Sequence, residues 1–158
     1  EIADRDWSSD VCSSDLIVSR AGTLPHAAAR RIHVLAVPTT DREVNATIIN
    51  AIQRISAVVT QRSLVEAFGL TVAEAMWKKA PVVASAVGGI QDQVEDGVSG
   101  MLVDPLDAPA WAEAVRDLLL FTERAKEMGD AAHEAVRRRF LPDRHLLEVL
   151  DAIGRASE

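Results

Sequence analysis

The 158-residue chain has one cysteine, Cys12, so no disulfide can form within it and a reducing compartment is the expected setting. No apolar run approaches the length of a membrane span, and the N-terminus is acidic and polar, without a signal-peptide pattern. A cytoplasmic location is therefore expected. Six prolines and eight glycines are too few for a linker or a low-complexity chain. A basic excess is also lacking: the net charge is −7, a poor match to a nucleic-acid partner. The four histidines show no metal-ligand spacing. What is present is 48% hydrophobic and 26% charged residues, ordinary for a globular domain, in a chain long enough to bury a core.

One segment reads as foreign to that domain. Residues 6–16 spell DWSSDVCSSDL, with four serines, three aspartates and no helical or strand period. The string resembles one reading frame of a common sequencing adapter. On that reading residues 1–16 are a non-native tail, and Trp7, Cys12 and the Asp4-Arg5-Asp6 triplet carry no functional weight. The tail holds a net −4, leaving −3 for residues 17–158.

From residue 31 onward, strand and helix patterns alternate. Residues 31–37 are a β-branched run stopped by Pro38. Residues 42–55 put Val44, Ile48, Ile49, Ile52 and Ile55 on one helical face. Strands are predicted at 57–60, 81–85 and 101–103, and helices at 71–79 and 90–95. Asp107 should cap a helix to Phe121 with Pro109 in its first turn, followed by helices over 122–139 and from Asp143 onward. Such alternation builds an α/β fold, a parallel sheet with helices on both faces. Ligands on these sheets bind beyond the carboxyl ends of the strands, which directs attention to the loops after Thr60 and Ser85.

The loop after Thr60 contains Glu66-Ala67-Phe68-Gly69-Leu70-Thr71-Val72-Ala73-Glu74. Two carboxylates flank a glycine turn that opens a helix. The first N–H groups of a helix have no internal acceptor, and the helix dipole is positive there, so a diphosphate fits. Gly69 lets the backbone approach an anion closely. Glu66 and Glu74 would accept hydrogen bonds from sugar and ribose hydroxyls.

This E-x7-E spacing, followed by Ala75-Met76-Trp77, Pro81-Val82-Val83-Ala84-Ser85 and Gly88-Gly89-Ile90, resembles glycosyltransferase family four of the GT-B fold. Within it, Val44-Asn45-Ala46, Gln61-Arg62-Ser63-Leu64, residues 68–77 and residues 88–93 are similar to the trehalose-forming synthases. The resemblance implies that residues 17–158 are a partial, Rossmann-like C-terminal domain that binds a nucleotide sugar (ADP-, UDP- or GDP-glucose). It implies retaining transfer of glucose to a sugar acceptor, glucose giving trehalose. It also implies an N-terminal acceptor domain in the full-length protein, which is open to homodimerisation, with no metal and no cofactor.

By position, Glu66 resembles the catalytic carboxylate that meets the donor sugar, and Glu74 the one that holds the ribose. The backbone of Phe68, Gly69, Leu70 and Thr71 would approach the sugar and diphosphate. Ala67 and Ala80 stand where the family has glycine. The family's Arg/Lys pair for the diphosphate has no counterpart here, and Arg20 lies too near the tail to assign.

Blander readings stand beside these. Thr71 and Glu74 fit a capping box, in which Glu74 serves only the helix start. Gly88 and Gly89 form a turn, or also admit ligand. Trp77 is expected in the core with Val72 and Met76. Arg137, Arg138 and Arg139 are expected to complement a helix dipole. The apolar face of the last helix, with Leu146, Leu147, Val149, Leu150 and Ile153, either lies exposed for want of a partner or folds back on its own sheet. Two other functions remain open: a trehalose phosphorylase-like enzyme, and a non-catalytic nucleotide-binding fragment.

Overall fold

The structure, a computed structural model, describes residues 13–156. Trp7 and Cys12 lie outside the described residues. The chain divides into two compact units, Glu1–Asn45 and Ala46–Glu158.

In the first unit, α1 (Ser13–Gly22) and α2 (His26–Ala29) are followed by a segment without helix or strand and the start of α3 (Arg42–Ile55). Helix α1 takes in Ser13–Leu16, where the sequence shows no period. Asp41 begins α3: its carboxylate accepts from the Glu43 and Val44 N–H groups at 3.0 Å each. The predicted strand at 31–37 does not form. β-Branched residues favour an extended backbone, but a strand also needs a ladder, and this run pairs with no neighbouring strand among the described residues. Leu35 is left 67% exposed.

The second unit carries the sheet. Strands β1 (Val59–Gln61), β2 (Val82–Ser85) and β3 (Met101–Val103) lie in the order β1-β2-β3, all parallel. Val59 stands opposite Val82, and Val83 opposite Met101. Helix α4 (Leu70–Trp77) connects β1 to β2, and α5 (Ile90–Gln93) lies between β2 and β3. Helices α6 (Ala108–Leu120), α7 (Thr122–Arg139) and α8 (Pro142–Ala156) follow. Asp107 caps α6 as expected, accepting from the Ala110 N–H at 2.9 Å.

Strand β2 is buried at every residue, and its alternation divides the core. Val82 and Ala84 pack with Val72, Ala75 and Met76 of α4 and with Ala132 and Val136 of α7. Val83 turns the other way, onto Trp111, Ala114 and Leu118 of α6 and Ala125 and Met128 of α7. Both faces of the sheet are thus covered, as β-strand period and helical spacing together predict. Each large apolar side chain so buried contributes about 1.5–3 kcal/mol.

Trp77 departs from expectation. The residue is 41% exposed, and its ring stacks on His133 with centroids 4.5 Å apart. Positions 72, 75 and 76 already fill the inward stripe of α4, and residue 77 is rotated about 100° past Met76. His133 Nδ1 also lies 2.6 Å from the Trp77 carbonyl oxygen.

No helix among the described residues is long and apolar enough to cross a membrane.

Candidate functional site

The loop from β1 to α4 passes the carboxyl end of β1, and the segment after β2 packs directly against it. Gly88, at φ +47°, and Gly89 form the contact. A Cβ on Gly88 would overlap the Glu66 carbonyl oxygen, and one on Gly89 would overlap the Ala67 carbonyl oxygen. The Gly89 N–H donates to the Glu66 carbonyl at 3.2 Å. The two glycines therefore seat the Glu66–Phe68 backbone; their requirement follows from chain meeting chain, before any ligand is considered.

Glu66 is half-buried. One of its carboxylate oxygens accepts from the Ser63 hydroxyl at 3.5 Å, and Ser63 Oγ accepts from Gln61 Nε2 at 2.9 Å. This chain runs from the last residue of β1 to the carboxylate, orienting it from a rigid element. Arg62 turns elsewhere: its Nε donates to the Pro105 carbonyl at 2.7 Å, and its guanidinium lies over the Trp111 ring at 5.8 Å. The loop after β1 is thereby tied to the loop after β3.

Gly69 caps α4 in the left-handed region, φ 86° and ψ 58°, with no side chain satisfying the helix start. Thr71 is consequently the second residue inside the helix, and it is not the N-cap of a capping box. Glu74 is the fifth residue and lies in the second turn, where a first-turn position was expected. It is exposed, as are Leu70 and Thr71. Phe68 is 40% exposed, and its ring meets Phe140 edge to face with centroids 5.8 Å apart.

Several participants carried no assignment from sequence. Ser63 and Gln61 orient Glu66. Gln93 is 1% exposed, and its Nε2 donates to the Phe68 carbonyl. Arg139 donates to the Asp92 carbonyl at 2.8 Å, bringing the end of α7 to the end of α5. It serves a neighbouring helix terminus as well as standing in the last turn of its own. Arg137 and Arg138 pair with Glu134 on the same helix instead. The Arg137 guanidinium holds the Glu134 carboxyl below the usual range. Gln61, Ser63 and Gln93 all lie in motifs noted for their resemblance, and that was the available signal. No group of three His, Cys, Asp or Glu residues able to hold a metal occurs among the described residues.

Comparison with known proteins fits this geometry. The family described as "Glycosyl transferases group 1" matches residues 40–135. A trehalose synthase of Pyrococcus horikoshii is 47% identical over 114 residues, 70% of this chain and 27% of that protein. The sucrose-phosphate synthase of Thermosynechococcus elongatus superposes with a TM-score of 0.61 at 31% identity, over 73% of this chain and 29% of that one. Anabaena HepE in complex with UDP and glucose superposes with a TM-score of 0.60 at 27% identity, over 66% and 29%. The chain thus spans little more than a quarter of the length of these relatives. A parallel sheet covered on both faces, a glycine-capped helix beyond its carboxyl edge and a match over more than half the sequence agree: the chain belongs to the group 1 glycosyl transferases, on the GT-B fold.

Proposed function

We propose that residues 17–158 form the donor-binding half of a retaining glycosyltransferase that moves glucose from a nucleoside diphosphate sugar to a sugar acceptor, with glucose as acceptor and trehalose as product. The observation that carries this reading is the Glu66 carboxylate, held by Ser63 on a loop that ends at the start of α4, where no side chain caps the helix. The free N–H groups and positive dipole end of α4 suit a diphosphate. Glu66 would accept from glucose hydroxyls, and Glu74, one turn further on, from the ribose. In the transfer the bond from the anomeric carbon to the diphosphate breaks, and a bond to the acceptor oxygen forms on the same face. The acceptor's hydroxyl proton passes to the departing diphosphate. This domain contributes electrostatic stabilisation of that leaving group. The sequence identity to a trehalose synthase supports glucose as the acceptor. The acceptor site itself would lie on an N-terminal domain.

Two measurements test the reading. The chain is titrated with ADP-, UDP- and GDP-glucose by calorimetry, where saturable binding of at least one is expected and binding of none sinks the donor site. The full-length protein is then given the bound donor and glucose. Trehalose with stoichiometric nucleoside diphosphate is expected. Trehalose cleavage that needs only free phosphate would replace this reading with a phosphorolytic one.

A further inference from the structure

Gln93 is buried to 1% exposure on the four-residue helix α5, yet only one end of its amide is used. Nε2 donates to the Phe68 carbonyl, while Oε1 is buried without a partner. A side chain wanted for packing alone would be apolar here, because an unpaired buried amide oxygen is unfavourable. What the amide accomplishes is visible in the peptide it holds. In a trans peptide the carbonyl of one residue and the N–H of the next point in opposite directions, and no cis bond is present among the described residues. Fixing the Phe68 carbonyl on Gln93 therefore turns the Gly69 N–H away from Gln93. Gly69 is buried, and its N–H meets no acceptor among the described residues. Buried backbone donors seldom remain unpaired. This one belongs to the turn that opens α4, beside Glu66, whose Cγ lies within 3.5 Å of where a Cβ on Gly69 would be.

We propose that Gln93 is a positioning residue for donor binding: by holding the Phe68 carbonyl it presents the Gly69 N–H to the sugar-diphosphate part of the donor. This inference rests on the donor-site reading above. Gln93 does not touch the donor; it acts through one peptide plane. The phenyl ring of the same residue is held separately by Phe140, so the loop is fixed at two points on Phe68.

The test uses 15N-labelled chain titrated with UDP-glucose and with UMP, which lacks the sugar and the second phosphate. Gln93→Met keeps the side chain's length and removes its donor. It should weaken UDP-glucose binding about tenfold, the loss of one well-placed hydrogen bond, while UMP affinity changes less than twofold. The Gly69 amide resonance should shift in Gln93→Met before any ligand is added. In the wild-type chain, an NOE between the Gln93 Nε2 protons and the Gly69 α-protons is expected, and that measurement does not depend on the variant folding. Absence of the NOE overturns the inference, as does unchanged UDP-glucose affinity in Gln93→Met. An equal loss for UMP and UDP-glucose also overturns it, since that marks general loosening. Failure of the wild-type chain to bind UDP-glucose, ADP-glucose and GDP-glucose overturns the donor-site reading and this inference with it. Wild-type binding with an indifferent variant overturns the inference alone.

Discussion

The Glu66 carbonyl oxygen occupies the space that a Cβ on Gly88 would fill, and the next N–H, of Gly89, donates to that same oxygen at 3.2 Å. The segment after β2 and the loop after β1 are thus built as one piece. Gly88→Ala meets two penalties: a left-handed backbone that costs a residue with a Cβ about 1–2 kcal/mol, and overlap with a backbone atom that cannot swing aside. Gly88→Ala should lower stability by at least about 2 kcal/mol, read by thermal or urea denaturation, and should abolish UDP-glucose binding. A stable variant with intact binding would separate this contact from the site.

Glu74→Ala distinguishes a ligand group from a helix cap. Gly69 caps α4, and Glu74 lies beyond the first turn, so the substitution should change stability by no more than about 0.5 kcal/mol. Loss of hydrogen bonds from ribose hydroxyls to a charged group should weaken nucleotide-sugar binding by about 1.5–3 kcal/mol. Calorimetry and denaturation on the same preparation read both. Unchanged affinity with a loss of stability would restore the capping role.

Most of the strand and helix order was legible because burial on both faces makes β2 a continuous apolar run and burial on one face imposes helical spacing on α4, α6 and α7. The Asp107 cap was legible because its side chain bonds locally. Three features were not. Residues 31–37 have strand composition, but pairing is a tertiary fact. Trp77 lies on the face of α4 next to the buried stripe, and its exposure depends on His133, 56 positions away. Thr71 and Glu74 have capping-box spacing, yet the chain starts its helix one residue after Gly69, because glycine enters the left-handed region freely. At the site, Glu66 and Gly69 stood out by residue type. Gln93 did not, since nothing local links it to Phe68, 25 positions earlier.

Lys79 is the non-glycine residue with positive φ among those described, at 62°. It follows α4 in a Schellman turn: its N–H donates to the Met76 carbonyl, and the Ala80 N–H to the Ala75 carbonyl, each at 3.0 Å. Lys79→Gly should therefore relieve strain and stabilise by about 0.5–1 kcal/mol in acid. The gain should be smaller near neutrality, where the variant forgoes the 2.7 Å pair between Lys79 and Asp130. The Lys79 ammonium, hydrogen-bonded to Asp130, holds that carboxyl below its usual pKa. The pair's contribution is accordingly present above the ordinary aspartate pKa and fades as the pH falls through the lowered value. Denaturation at several pH values checks the trend. A gain that shrinks on acidification would contradict it.

The segment 1–16 should be dispensable for the sheet-bearing unit. Both core clusters draw on residues from Val58 to Phe140. A chain beginning at Ile17 should show the same midpoint for its main thermal transition as the chain of 158 residues. A clear loss of midpoint would give the tail a structural role.

Helix α8 presents an exposed apolar stripe. Leu146, Leu150 and Ile153 follow one another at helical spacing and are 57%, 55% and 61% exposed, with Leu147 beside them. Its charges are satisfied within the helix, Arg144 with Glu148 and Arg155 with Asp151, so the stripe is not the by-product of a polar contact. The helix therefore does not fold this face onto its own sheet, and contiguous apolar surface of this kind marks an interaction face. The isolated chain should self-associate at concentrations where a longer chain carrying the proposed acceptor domain does not. Leu146→Gln combined with Leu150→Gln should reduce that association and alter stability by less than about 1 kcal/mol, because each exposed position contributes within about 0.5 kcal/mol. Sedimentation velocity reads the first effect and denaturation the second. A double variant that unfolds easily would mean that the stripe packs against its own domain in solution. One that is stable but still associates would move the interface elsewhere, with the exposed Leu119, Leu120 and Phe121 at the junction of α6 and α7 as the next surface to alter.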